Sequence, residues 1–84
     1  REMASNNLRV TFPPDGAVVD VMENALTVKL ESGQAPFTVL RDGHVALTGA
    51  RDLALSVPVP SRGFTTLSII DAEGRSGRVS VELR

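Results

Sequence analysis

The chain has 84 residues, of which 42% are hydrophobic, and its formal net charge at pH 7 is −1. This size allows one domain with a single core, and the apolar fraction excludes wholesale disorder. The near-neutral charge excludes a strong attraction to nucleic acid or anionic membranes, and no apolar run is long enough for membrane insertion. The lack of cysteine excludes disulfides and thiolate metal sites.

The first segment, residues 1–9 (REMASNNLR), is polar and has no clear period. We interpret it as a linker or as the segment that leads into the domain, and we predict the domain itself over residues 10–84. Because the chain begins with Arg1 rather than methionine, we interpret it as a piece of a longer protein. Any export signal or membrane anchor is then expected outside it.

Beyond residue 10, apolar residues recur at every second position, which is typical of strands with one buried face. The clearest examples are LTVKLES (26–32), LALSVPV (53–59) and RVSVELR (78–84). VVDVMENAL (18–26) could be a helix, but its valines favour a strand. The alternation predicts a core of Leu26, Val28, Leu30, Val39, Leu55, Val57, Leu67, Ile69, Val79 and Val81.

Turn sequences separate these runs at short intervals. They are Pro13–Gly16, Ser32-Gly33, Asp42-Gly43, Pro60–Gly63 and Glu73-Gly74. Short strands broken this often predict an all-β fold, an immunoglobulin-like antiparallel β-sandwich of about seven short strands. Pro58 has no backbone N–H, so its strand is expected at a sheet edge or near its own end.

The Asp42-Gly43 pair suits a tight type I′ turn, because both central positions of that turn need positive φ. A two-residue turn would pair Arg41 with His44 and Val39 with Ala46. It would also leave a second apolar face on the hairpin, opposite the core.

That second face would carry Leu40, Val45 and Leu47, which are therefore our candidate partner-binding residues. A small domain has no second layer to cover them, and exposed apolar clusters tend to mark interaction sites. The alternative is a longer, bulged loop that turns Val45 and Leu47 inward. The sequence leaves both possibilities open.

The stretch DAEGRSGR (71–78) could be a cradle for an anion or a turn between two strands. We interpret it as a turn, in which Asp71 accepts backbone hydrogen bonds and Gly74 takes the positive φ. Arg75 is then expected to pair with Asp71 or Glu73, rather than joining Arg78 in binding a phosphate or carboxylate.

Three pieces of the chain resemble the C-terminal domain of bifunctional penicillin-binding proteins of the 1C type. They are FPPDGAVV (12–19), FTVLRDG (37–43) and RGFTTLSIIDAEGRSGRVSVEL (62–83), of which the last is the most specific. The family usually places tryptophan where this chain has Val39, so any binding role of that tryptophan would be lost here.

The family's catalytic domain carries a Ser-x-x-Lys motif, which this chain lacks, because its only lysine, Lys29, has no serine three positions earlier. His44 is the only histidine, which excludes a two-histidine metal site, and we expect it on the surface beside a turn. Acidic residues could bind calcium but lack EF-hand spacing, so we interpret them as solvated turn residues. They are Asp15, Asp20, Glu23, Asp71 and Glu73. We expect no catalytic residue, metal or cofactor.

The resemblance implies a non-catalytic accessory module of a peptidoglycan synthase with glycosyltransferase and transpeptidase domains. Such a module would be periplasmic, in a protein anchored in the inner membrane. Its expected partners are other domains of the parent enzyme or a cell-envelope protein, with peptidoglycan as a further candidate. The alternative is an immunoglobulin-like or fibronectin-type spacer repeat of a bacterial surface adhesin. A glycan-binding domain is a third reading, weakened by the lack of tryptophan and tyrosine.

Overall fold

The computed structural model of the protein describes residues 8–21, 24–59 and 62–84. Within these ranges the backbone forms strands and no helix, so no helix there has the length and apolar character needed to cross a membrane. The strands are β1 (Val10–Phe12), β2 (Val18–Val19), β3 (Ala25–Leu30), β4 (Phe37–Arg41), β5 (His44–Ala50), β6 (Ala54–Pro58), β7 (Gly63–Ile70) and β8 (Ser76–Leu83). The predicted all-β class is confirmed.

The strands form two sheets, one with the order β1-β3-β6 and one with the order β2-β8-β7-β4-β5. Neighbours are antiparallel except for β2, which runs parallel to β8. Strand β6, which contains Pro58, lies at an edge of the smaller sheet, as predicted. The immunoglobulin-like sandwich is confirmed, with eight strands instead of about seven.

The chain between β1 and β2 crosses from the smaller sheet to the larger one. Pro13 and Pro14 have no backbone N–H and therefore cannot continue a ladder of hydrogen bonds. Asp15 and Gly16 then attach the chain to β8: the Asp15 carboxylate accepts a hydrogen bond from the Ser80 N–H at 2.8 Å, and the Gly16 N–H donates to the Ser80 carbonyl. The FPPDG sequence thus ends one strand and anchors the start of the next.

The core lies between the two sheets. All ten residues predicted to be buried are buried, so the predicted face assignment is confirmed. Val39, at the position where the related family usually has tryptophan, is among the fully buried ones. The core also contains Leu8, Val21, Phe37, Val59 and Leu83.

The N-terminal segment packs against the end of the sandwich that carries the β7–β8 turn. Leu8 is buried, and its N–H donates to the Ser76 carbonyl at 3.0 Å. A Cβ on Gly77 would lie 2.6 Å from the Leu8 carbonyl oxygen, so this close approach requires glycine. Residues 1–7 of the predicted linker lie outside the described residues, whereas Leu8 and Arg9 are bonded to the domain.

Candidate functional site

The outer face, as we call it, is the solvent side of the five-stranded sheet. Some of its residues alternate with core residues along a strand. The others pair with these outward-facing residues across two neighbouring strands. They are Val18, Thr38, Leu40, Val45, Phe64, Thr66, Ser68, Ile70, Arg78, Ser80 and Glu82. Five large hydrophobic residues are exposed in the described part of the chain, and Val18, Val45 and Phe64, all on this face, are three of them.

The position of Val45 on the outer face is set by the β4–β5 turn. Asp42 and Gly43 have φ values of 51° and 87°, and Arg41 pairs with His44, so the turn has two residues, which is one of the two possibilities that the sequence left open. Leu40 then lies directly opposite Val45. Val45 is 63% exposed, whereas Leu40 is half-buried.

A β-bulge separates Leu47 from these two residues. Val39 pairs with Leu47, so the predicted pairing of Val39 with Ala46 is wrong. The extra residue reverses the alternation, and both Ala46 and Leu47 pack against the core. Leu47 therefore does not share the face of Leu40 and Val45. A tight turn without a bulge would have placed it on that face. A role of these three residues in partner binding stays a prediction.

Phe64 lies on the same face near the start of β7, two positions before Thr66, which bonds Asp42 of the β4–β5 turn, and it is 85% exposed. It is paired with Glu82, which is paired in turn with Val18, so Glu82 lies between two exposed apolar side chains. Our sequence interpretation did not single out Phe64. The signal was present, because period two from the buried Leu67 and Ile69 directs Phe64 outward.

Phe64 borders an open groove of about 550 Å³. The groove is lined by Gly16, Asp42, Phe64, Thr65, Thr66, Ser80, Val81 and Glu82. The Asp42 carboxylate is fixed there, because it accepts hydrogen bonds from the Thr66 N–H at 2.9 Å and from the Thr65 hydroxyl at 2.8 Å. These two bonds outweigh the effect of desolvation, and they hold the pKa of Asp42 below its ordinary value.

A second depression on the same sheet is polar. It is lined by Leu8, Ser68, Ser76, Gly77 and Arg78. Because Ser68 pairs with Arg78 across β7 and β8, the basic side chain lies toward the end of the sheet opposite Phe64. The outer face is thus acidic and aromatic at one end and basic at the other.

Asp71 is buried in the β7–β8 turn and is committed to hydrogen bonds. One carboxylate oxygen accepts from the N–H groups of Glu73 and Arg75, both at 2.9 Å, and the other accepts from the Gln34 N–H at 3.2 Å and from Arg75 Nε at 2.9 Å. Gly74 has a φ of 84°. The predicted capping role, the Asp71–Arg75 pair and the positive φ are confirmed.

Burial alone would raise the pKa of Asp71. The N–H groups of Gln34, Arg75 and Glu73 and the Arg75 guanidinium outweigh burial, and they hold the pKa below its ordinary value. Asp71 is therefore an anion whose lone pairs are directed to groups of the domain itself.

The other sequence candidates are dispersed. His44 is exposed beside its turn, as predicted, and Asp15 bonds the β8 backbone. Glu23 lies outside the described residues. Over residues 8–21, 24–59 and 62–84, no three side chains of His, Asp or Glu are grouped as metal ligands would be.

Comparisons with known proteins agree with this architecture. The model of the Penicillin-Binding Protein C-terminus Family matches residues 1–81. The fold is similar to the crystal structure of CopC from Methylosinus trichosporium OB3b, with a TM-score of 0.54 and 15% identity over 92% of this chain and 93% of that chain. At this identity the likeness shows the fold alone. No curated protein matches the chain.

Proposed function

The chain belongs to the Penicillin-Binding Protein C-terminus Family, and from this premise we propose that it is a non-catalytic accessory module of a bifunctional peptidoglycan synthase. Its role is to dock, through the outer face, on other domains of the parent enzyme. The proposal includes a periplasmic position in a protein anchored in the inner membrane. A separate cell-envelope protein and peptidoglycan are the other partners that we expected from the sequence.

One observation supports docking above all: the apolar surface of the outer face is not needed to complete the core. The core is closed between the two sheets, yet Val18, Val45 and Phe64 remain exposed on one side of the larger sheet. Single exposed hydrophobic residues are common, but several on one face favour an interaction surface.

The chemistry of the described residues supports a non-catalytic role. Asp71 is saturated by hydrogen bonds, and His44 lies at an exposed turn, where no carboxylate is within ion-pair distance in the described part of the chain. Asp42 is bonded to a hydroxyl and a backbone N–H rather than to a base. None of these arrangements activates a nucleophile.

The experiment is a titration of the 84-residue chain into its parent protein from which these residues have been removed. We expect saturable binding that Val45→Asp weakens at least about tenfold, because a charge would be buried at the contact. Leu53→Asp is the matched control, since Leu53 is also exposed (43%) but lies outside the outer face. Absence of binding, or equal weakening by both variants, would overturn docking through this face.

The family match favours the accessory module over the adhesin repeat. The parent gene upstream of Arg1 tests this choice separately from docking. Transpeptidase motifs there would support the proposal, whereas a series of further β-repeats would contradict it.

A further inference from the structure

The groove beside Phe64 combines an exposed aromatic ring with fixed negative charge. Asp42 lies on one side, where Thr65 and Thr66 hold its carboxylate. Glu82 lies on the other side, directly opposite Phe64 across β7 and β8. Among the residues that the structure describes, the groove lining contains two carboxylates and no basic side chain.

The basic residues near the groove cancel this charge only in part. Arg84 forms an ion pair with Glu82 at 3.3 Å, and Arg41, next to Asp42 in the chain, donates through Nη1 to the Pro58 carbonyl at 3.1 Å. Asp15 adds a third carboxylate beside Gly16, where it is held by the Ser80 N–H. The three carboxylates of Asp15, Asp42 and Glu82 outnumber these two guanidinium groups, so the charge around the groove remains negative.

We propose that this groove is a docking site for a polypeptide segment that carries lysine or arginine next to apolar residues. The cation would lie over the exposed ring of Phe64 and between the carboxylates of Asp42 and Glu82, where cation–π attraction and ion pairing act together. The apolar neighbours would cover Val18. This inference rests on the proposed function, since it gives the chemistry of a partner on the part of the outer face that lies around Phe64.

The groove is less suited to a wall glycan. The hydroxyls of Thr66 and Ser80 are hydrogen-bonded to each other at 3.1 Å. Few hydrogen-bond donors are left for sugar hydroxyls, and an anionic polymer would be repelled by Asp42 and Glu82. Charge complementarity thus favours a basic segment.

The test uses a fluorescent dodecapeptide of alternating lysine and leucine, titrated into the 84-residue chain at low ionic strength and followed by anisotropy and by backbone NMR shifts. We expect the largest shifts at Phe64, Thr66 and Ser80. Phe64→Ala and Asp42→Asn should each weaken binding by about tenfold. A peptide with glutamate in place of lysine should not bind.

The controls are matched to each change. Phe12→Ala removes another exposed aromatic ring, which lies in β1 of the smaller sheet. Glu31→Gln removes another exposed carboxylate, which directly follows β3 of the same sheet. Neither should alter binding. Asp42→Asn keeps a residue that tolerates positive φ in the turn, and unchanged melting temperatures show that each variant is folded.

Unchanged affinity in Phe64→Ala and Asp42→Asn would overturn the inference, as would shifts that lie on the smaller sheet. Soluble muropeptides that shift the Phe64 resonances while the lysine peptide does not would replace it with glycan binding. If both groove variants still dock on the parent protein and the peptide does not bind, the groove proposal is wrong and the proposed function stands. If the peptide binds but the chain does not dock on the parent protein, the proposed function is wrong and the groove proposal stands.

Discussion

Two aspartates at turns, Asp71 and Asp42, show how the same local chemistry serves two purposes. Each accepts hydrogen bonds from the backbone, and each has a pKa below its ordinary value. Asp71 is only 5% exposed, and donors from two loops and Arg75 surround it. Asp42 is exposed and borders the groove of Phe64. The difference teaches that a satisfied carboxylate can stabilise a fold or present charge to a partner, depending on what surrounds it.

Strand β7 joins these two regions, because Thr65 and Thr66 near its start bond Asp42 and its end leads into Asp71. Ile69→Ala, in the middle of this connection, should therefore cause the largest loss of stability. Ile69 is fully buried, and a cavity there should cost about 2–5 kcal/mol, most of the stability of a small domain. Guanidinium denaturation checks this. A loss below about 1 kcal/mol would contradict the assigned core.

Asp71→Ala should have the next largest effect, because it removes the acceptor that joins the β3–β4 loop to the β7–β8 turn. We expect a fall in melting temperature of about 5 °C or more. Calcium should leave the melting temperature of the unmodified chain unchanged. A calcium-dependent rise that disappears in Asp71→Ala would mean that the carboxylate binds metal instead.

Acid should weaken the Asp71 region before it affects the core. Because the pKa of Asp71 is lower in the folded chain, its contribution to stability is complete above the ordinary pKa of about 3.9 and is lost as pH falls through the folded value. Melting temperatures between about pH 6 and pH 2 should therefore fall more steeply for the unmodified chain than for Asp71→Asn. Parallel curves would show that the carboxylate does not contribute this stability.

Asp42→Asn should have the smallest effect on stability. Asn-Gly also suits a type I′ turn, and the amide oxygen of asparagine can still accept from the Thr66 N–H. We expect the melting temperature to change by no more than about 2 °C. A loss as large as that of Asp71→Ala would mean that both aspartates are structural, and the contrast between them would disappear.

The sequence predicted most of the regular structure. Period two identified the buried positions, including Ile69 and Val81, because a sheet with one buried face imposes that period. The turns at Asp42-Gly43 and around Gly74 were also predicted, because their backbone conformations need particular residues.

The remaining features depend on contacts between distant segments. The bulge at Ala46 inserts one residue into β5 and redirects Leu47, and alternation along one strand cannot reveal it. The burial of Leu8 depends on Gly77, far away in the sequence. The residues beside Phe64 are set by how β2, β7 and β8 pair with one another. The sequence therefore predicts that Phe64 points outward, but it does not predict which charged residues lie next to it.

The central claim, that the outer face is covered in the parent protein, has a direct test, because this chain has no cysteine. Val45→Cys and Leu53→Cys can each be introduced into the full-length parent and into the isolated chain, and the rate of maleimide labelling measured at that site. We predict similar rates for both positions in the isolated chain. In the parent, Val45→Cys should react at least about tenfold more slowly while Leu53→Cys is unchanged. Equal reactivity of the two cysteines in the parent would contradict the account.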